Sequence, residues 1–114
     1  MVVYTKEFLS GSTYGRPIKV VATGTAGTLI HTAHATAKDE LTLYAINTSV
    51  LDRVLTIEFG GATNPDDHII ITVKKDVGLT LVVPACILSN SSVVRAFASA
   101  ANVINIVGFI NRIV

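Results

Sequence analysis

The chain has 114 residues and a mass of 12.0 kDa, room for one domain of ordinary size and not for a multidomain enzyme. Its residues are 50% hydrophobic and 15% charged, which excludes intrinsic disorder and lets a core form without a metal or disulfide staple. Nine Lys and Arg against eight Asp and Glu leave a net charge of +1, and no like-charged run exceeds Asp66-Asp67 or Lys74-Lys75, so nucleic acid is not an expected partner.

Residues 1–16 carry Val2, Val3, Tyr4, Phe8 and Tyr14 among polar residues, before Arg16-Pro17 opens the regular part. Such an arm is either an edge strand or a segment that reaches another subunit, where Tyr and Arg are favoured anchors. The start shows no basic head followed by a long apolar stretch, and no apolar run approaches the roughly 18 residues of a membrane helix. The expectation is a protein made and used in water, with no membrane partner.

From residue 17 onward the pattern is that of a single β-sandwich domain, 17–114. Val, Ile and Thr number 15, 12 and 13, a strong enrichment in β-branched side chains that suit pleated surfaces. Strands are predicted near 17–23, 27–34, 40–48, 52–60, 68–75, 78–83, 92–98 and 102–113. The fold class is therefore all-β, an antiparallel sandwich of about eight strands with immunoglobulin-like or jelly-roll connectivity. Turns are predicted at Thr23–Gly27, at Gly60-Gly61 with Asn64-Pro65-Asp66, at Asp76-Val77-Gly78 and at Ser89–Ser92. Ala98–Ala101 fits a turn between strands better than a turn of helix.

Alternation assigns faces. In 52–60 Leu55, Ile57 and Phe59 oppose Thr56 and Glu58; in 68–75 Ile69, Ile71 and Val73 oppose His68, Thr72 and Lys74, with Ile70 breaking the polar side. In 78–83 Leu79, Leu81 and Val83 group together. The last strand is apolar on both sides: Val103, Val107, Phe109 and Ile113 on one, Ile104, Ile106 and Ile110 on the other. Val93 and Phe97 likewise flank Arg95, opposite Val94, Ala96 and Ala98. A two-layer sandwich covers only one of those faces, so a neighbouring subunit or the N-terminal segment is expected over the other; a mid-sheet strand beneath a long loop is the alternative.

Chemistry is sparse. His31 and His34 lie at an odd offset that sends them to opposite faces of a strand, His31 with Leu29 and Ala33, and the nearest acids, Asp39 and Glu40, stand beyond a turn, so no metal site is expected. No Gly-x-Ser-x-Gly elbow or complete phosphate loop occurs, and Asp66-Asp67-His68 reads as a solvated loop. No catalytic residue, cofactor or metal is assigned, and the chain is not expected to be an enzyme. Cys86, the single cysteine, reads as a small buried hydrophobe. Arg53, Arg95 and Arg112 stand in apolar strands and need carboxylates or backbone carbonyls; Glu58, Asp52 or a neighbouring chain are the expected partners.

The segments Glu40–Ser49, Asp52–Gly61, Gly78–Pro84, Val94–Asn102 and Gly108–Arg112 together resemble the small β-sandwich head-decoration or capsid-cement proteins of tailed bacteriophages, over roughly residues 18–113. The resemblance implies a virion structural protein on the capsid exterior, assembled in the host cytoplasm. It would bind the major capsid protein as a small homo-oligomer, a trimer favoured, and stabilise the assembled head. The alternative is a phage tail or fibre module that binds a host-surface glycan. Candidate partner-interface residues are Tyr4, Phe8, Tyr14, Arg16, Val93, Arg95, Phe97 and Phe109.

Overall fold

Alternating β-branched and apolar residues build nine strands and no helix in the structure, a computed structural model that describes residues 1–114. They are β1 (Tyr4–Glu7), β2 (Ile18–Lys19), β3 (Thr28–Thr32), β4 (Lys38–Asn47), β5 (Arg53–Phe59), β6 (His68–Val73), β7 (Thr80–Leu88), β8 (Val93–Ala98) and β9 (Ile104–Ile113). With no helix present, none is long and apolar enough to cross a membrane.

The pairing is nested. β5 pairs with β6, β4 with β7, β3 with β8, and β1 and β2 both pair with β9, every pair antiparallel. The chain is thus one long ribbon, folded at the loop between β5 and β6 and rolled so that successive pairs fall in alternate layers. The first sheet runs β1-β9-β4-β7, with β2 beside β1 on the same edge of β9; the second runs β3-β8-β5-β6. This is an antiparallel β-sandwich with jelly-roll connectivity, which settles the immunoglobulin-like alternative against it.

The inner faces meet in one core of 18 buried residues, among them Leu41, Leu43, Leu55, Ile57, Ile104, Ile106 and Ile110. Burying each such side chain is worth roughly 1.5–3 kcal/mol, so these rows set the register of the long strands. Leu9 belongs to the same core, which fixes the N-terminal segment: β1 is an edge strand of the first sheet. Beyond it Gly11 N–H donates to Ile30 O at 2.9 Å, alongside β3.

Several expectations from the sequence are corrected. The strand expected at 17–23 shrinks to β2, because Val21 and Ala22 N–H donate to Thr28 Oγ1 where the chain crosses between sheets. β7 does not end before Pro84 but continues to Leu88, through two register shifts against β4. Each shift inserts a residue into the edge strand and flips its phase, so Val82 and Val83 are both buried while Leu79 and Leu81 face outward. A shift between Leu29 and His31 in β3 likewise leaves Leu29 exposed and buries His31 with Ile30. Cys86 is partly buried against the core.

Candidate contact surface

The outer face of the first sheet is built from alternate residues of four strands. Register places Val107 of β9, Tyr44 of β4 and Leu81 of β7 in one cross-strand row, with Phe109 opposite Thr42 beside it. Glu40 continues the next row between Asn111 and Ile87, and Lys6 of β1 stands opposite Asn111. Phe109 is 37% and Leu81 47% exposed, and the fold has no third layer to cover them. Lys6, Lys38, Glu40, Asn105 and Asn111 border the apolar centre on β1, β4 and β9, while exposed Ile87 extends it along β7, a mixed border of the kind found at contact patches. β1 lies beside β9 instead of over it. The N-terminal segment therefore does not cover the outer face of the last strand as a layer; the Lys6 ammonium stands 4.2 Å from the Phe109 ring centroid at its border.

The eight interface candidates fall on two sides of the molecule. Tyr4 projects from β1 on the same outer face as Ile113, and Phe8 shares a cleft of about 240 Å³ with Lys6, Glu7 and Phe109. The Phe8 ring lies over Gly15, in the turn that carries Tyr14 and Arg16, and Tyr14 is almost fully exposed. Arg16 lines a second cleft with Lys19 and Asn105 at the same edge. Val93, Arg95 and Phe97 project from β8 on the outer face of the other sheet and are half-buried there. Tyr4, Phe8, Tyr14, Arg16 and Phe109 thus lie along the side of the molecule where β1 and β2 border β9, and Val93, Arg95 and Phe97 are set apart on the other sheet.

The loop over that second face is held by Glu58, whose carboxylate is 1% exposed although alternation put it on a solvated side. Its Oε1 accepts from Gly27 N–H at 2.7 Å and its Oε2 from the Thr25 hydroxyl at 3.0 Å. Arg95 Nη1 donates to Gly27 O at 3.2 Å, so this guanidinium found a carbonyl of the same loop and not an acid. Gly27 permits the approach, since a Cβ there would lie 2.6 Å from the Ala96 backbone. His68 packs edge-on to Phe97 with its Nε2 4.0 Å from Glu58 Oε2 and no hydrogen-bond partner. In this cluster the carboxylate stands between hydroxyl and imidazole, whereas nucleophile activation puts the hydroxyl on the imidazole.

The other polar cluster centres on buried Asp39. Arg112 meets it two-pronged, Nε to Oδ1 at 2.7 Å and Nη2 to Oδ2 at 3.1 Å, and His31 Nε2 lies 2.8 Å from Oδ2. His34 N–H donates to the same oxygen at 3.1 Å. Because Ser10 N–H donates to His31 Nδ1, the imidazole carries its proton on Nε2 and gives it to Asp39. Burial opposes ionisation of Asp39, but the hydrogen bonds from Arg112, His31 and the His34 backbone, with the Arg112 charge, outweigh it and hold the carboxyl down to about 2. The same bond raises the Arg112 guanidinium above its ordinary value, against burial and with help from the charges of Asp39 and Glu7.

Asp39 thus corrects two expectations. The turn after His34 returns it against His31 instead of keeping them apart, and it replaces Glu58 and Asp52 as the partner of Arg112. Arg53 donates to Ser49 Oγ at 3.2 Å, and Asp52 caps Lys75 N–H. No group of three or more His, Cys, Asp or Glu side chains is arranged to hold a metal. The sequence reading missed both clusters because their members lie up to 73 residues apart in the chain; the available signal was Glu58 as the one acid of β5, whereas Asp39 stands beside Glu40 at the start of β4 and is not singled out. No family model, curated protein or solved structure matches the chain.

Proposed function

We propose that the chain is a virion structural protein, a head-decoration or cement protein of a tailed bacteriophage that sits on the capsid exterior and binds the major capsid protein. The observation that carries the reading is the uncovered outer face of the first sheet, with Phe109, Val107, Tyr44 and Leu81 at its centre and charged or amide side chains bordering it on β1, β4 and β9. Jelly rolls are a recurrent architecture of viral shells, and this adds support by fold-level analogy. The two buried polar clusters support it indirectly, since each spends its charges inside the chain.

The mechanism is mass action. A protein that binds the assembled lattice and not its dissociated parts stabilises the lattice by its binding free energy, and repetition over a symmetric shell adds avidity. Homo-oligomers, with a trimer favoured, would place several such faces over one capsomer junction. Lectin domains share the architecture, and exposed Tyr4 and Tyr14 suit a glycan, so a tail or fibre module remains the second reading.

The test mixes the purified chain with bare shells and measures co-sedimentation. Saturable pelleting that is lost in Phe109→Asp supports decoration through this face. A chain that stays in the supernatant at micromolar concentration refutes it, and saturable binding on a glycan array would then favour the second reading.

A further inference from the structure

A sandwich has four exposed sheet edges, and each unpaired edge offers backbone donors and acceptors to another chain. Three are blunted here. β7 carries Pro84, two register shifts and a positive φ at Ala85; β3 is interrupted by a register shift and capped by Gly11 N–H on Ile30 O and by Ser10 Oγ on Thr32 N–H. The edge beside β9 is broken into the short β1 and β2. β6 has none of these devices: it is regular over six residues, pairs only with β5, and runs His68-Ile69-Ile70-Ile71-Thr72-Val73.

The open groups of β6 can be identified. Phe59 N–H donates to Asp67 O at 2.8 Å, which sets the phase of the ladder, so Ile69, Ile71 and Val73 exchange hydrogen bonds with β5. The N–H and C=O groups of Ile70 and Thr72, and the His68 carbonyl, therefore point away from β5; His68 N–H is spent on Pro65 O. The Ile70 side chain is 63% exposed. Charge identifies the occupant: the strand is preceded by Asp66-Asp67 and followed by Lys74-Lys75, acidic at one end and basic at the other, with Asp66, Lys74 and Lys75 all exposed. A parallel neighbour would set like against like. An antiparallel copy of the same segment sets acid against base at both ends.

We propose that β6 is a self-association edge, pairing antiparallel with β6 of a second copy about a twofold axis at Ile70. In this register Ile70 of each copy exchanges N–H and C=O with its counterpart, and each Thr72 N–H reaches the other copy's His68 carbonyl. Asp66 of each copy then stands near Lys74 of the other, and the second sheets join into one continuous sheet. The contact is separate from the outer face of the first sheet and needs no capsid. A two-strand contact is small, so a weak, concentration-dependent dimer is expected.

Sedimentation equilibrium tests it through a charge swap at exposed sites. Asp66→Lys and Lys74→Glu each turn the two symmetry-related attractions into repulsions and should weaken dimerisation about tenfold. Mixing the two single variants, or combining them in one chain, should restore it, because the opposed charges are complementary again. Ile70→Cys in a Cys86→Ser background should cross-link to itself, since directly opposed residues of such a pair lie about 5.5 Å apart between Cα atoms. Phe109→Asp, which disturbs only the other surface, should leave the dimer intact. A chain that stays monomeric at its highest soluble concentration overturns the proposal, as does failure of the swap to restore pairing. So does a dimer that does not cross-link at residue 70 or that Phe109→Asp abolishes.

Discussion

Replacing Asp39 by Asn keeps the shape of the side chain and removes the charge on which Arg112, His31 and the His34 backbone converge. Breaking a buried ion pair costs about 3–5 kcal/mol, and because the Arg112 side chain is still 23% exposed and can draw on water, the expected loss is at the lower end, about 3 kcal/mol. The lowered carboxyl pKa leads to a figure of similar size. A carboxyl held at about 2 in the fold against an ordinary 3.8 favours the native state by about 2 kcal/mol wherever it is ionised in both states. This contribution is complete above the unfolded value, shrinks as the pH falls below it, and is gone once the pH passes below the folded value.

Urea denaturation at pH 7 should therefore show Asp39→Asn less stable by about 3 kcal/mol, a fall of about 10 °C in melting temperature for a chain of this length. Between pH 5 and pH 2 the native chain should lose stability more steeply than the variant, by about 2 kcal/mol in total, the other carboxylates being common to both. A variant within 0.5 kcal/mol of the native chain at pH 7, or two parallel pH profiles, would refute the reasoning.

Asn47 is buried and ties the layers together, its Nδ2 donating to Leu51 O and Val73 O at 2.8 Å while its Oδ1 accepts from Ser49 N–H; Asn47→Ala should cost about 2–3 kcal/mol by urea denaturation. An added Cβ at Gly108 would overlap the Thr42 carbonyl oxygen where β4 and β9 pair, so Gly108→Ala should lower stability by about 1–3 kcal/mol in a thermal melt. Glu58→Ala strips Gly27 N–H and the Thr25 hydroxyl of their acceptor and should speed amide exchange at Gly27 while costing about 2 kcal/mol. Phe109→Asp, at a half-exposed site, should change stability by less than about 1 kcal/mol and yet abolish co-sedimentation with bare shells.

The two polar clusters and the contact face differ in how far the chain announces them. Phe109 and Val107 advertise an apolar outer face on β9 because period-two alternation is local, and the structure leaves that face bare where two sheets provide no third layer. Arg112 advertises a need for a partner but not which one: Asp39 is chosen by the register of β4 against β9, which places those two residues directly opposite. The fate of Leu79 and Leu81 was equally out of reach, because a β-bulge is a relation between two strands and leaves no signature in one of them.

Composition and alternation alone determined that this chain folds as an antiparallel sandwich, where most of its turns lie, and that its last strand is greasy on both sides. Those properties follow from side-chain chemistry read over a few neighbouring residues. Only the tertiary structure decided the jelly-roll winding, the phase of β3 and β7, the burial of Glu58 beneath the loop of Thr25 and Gly27 and of Asp39 against Arg112, and the single unguarded edge at β6. Each of these depends on which strand lies beside which, and that is fixed by contacts between residues far apart in the chain.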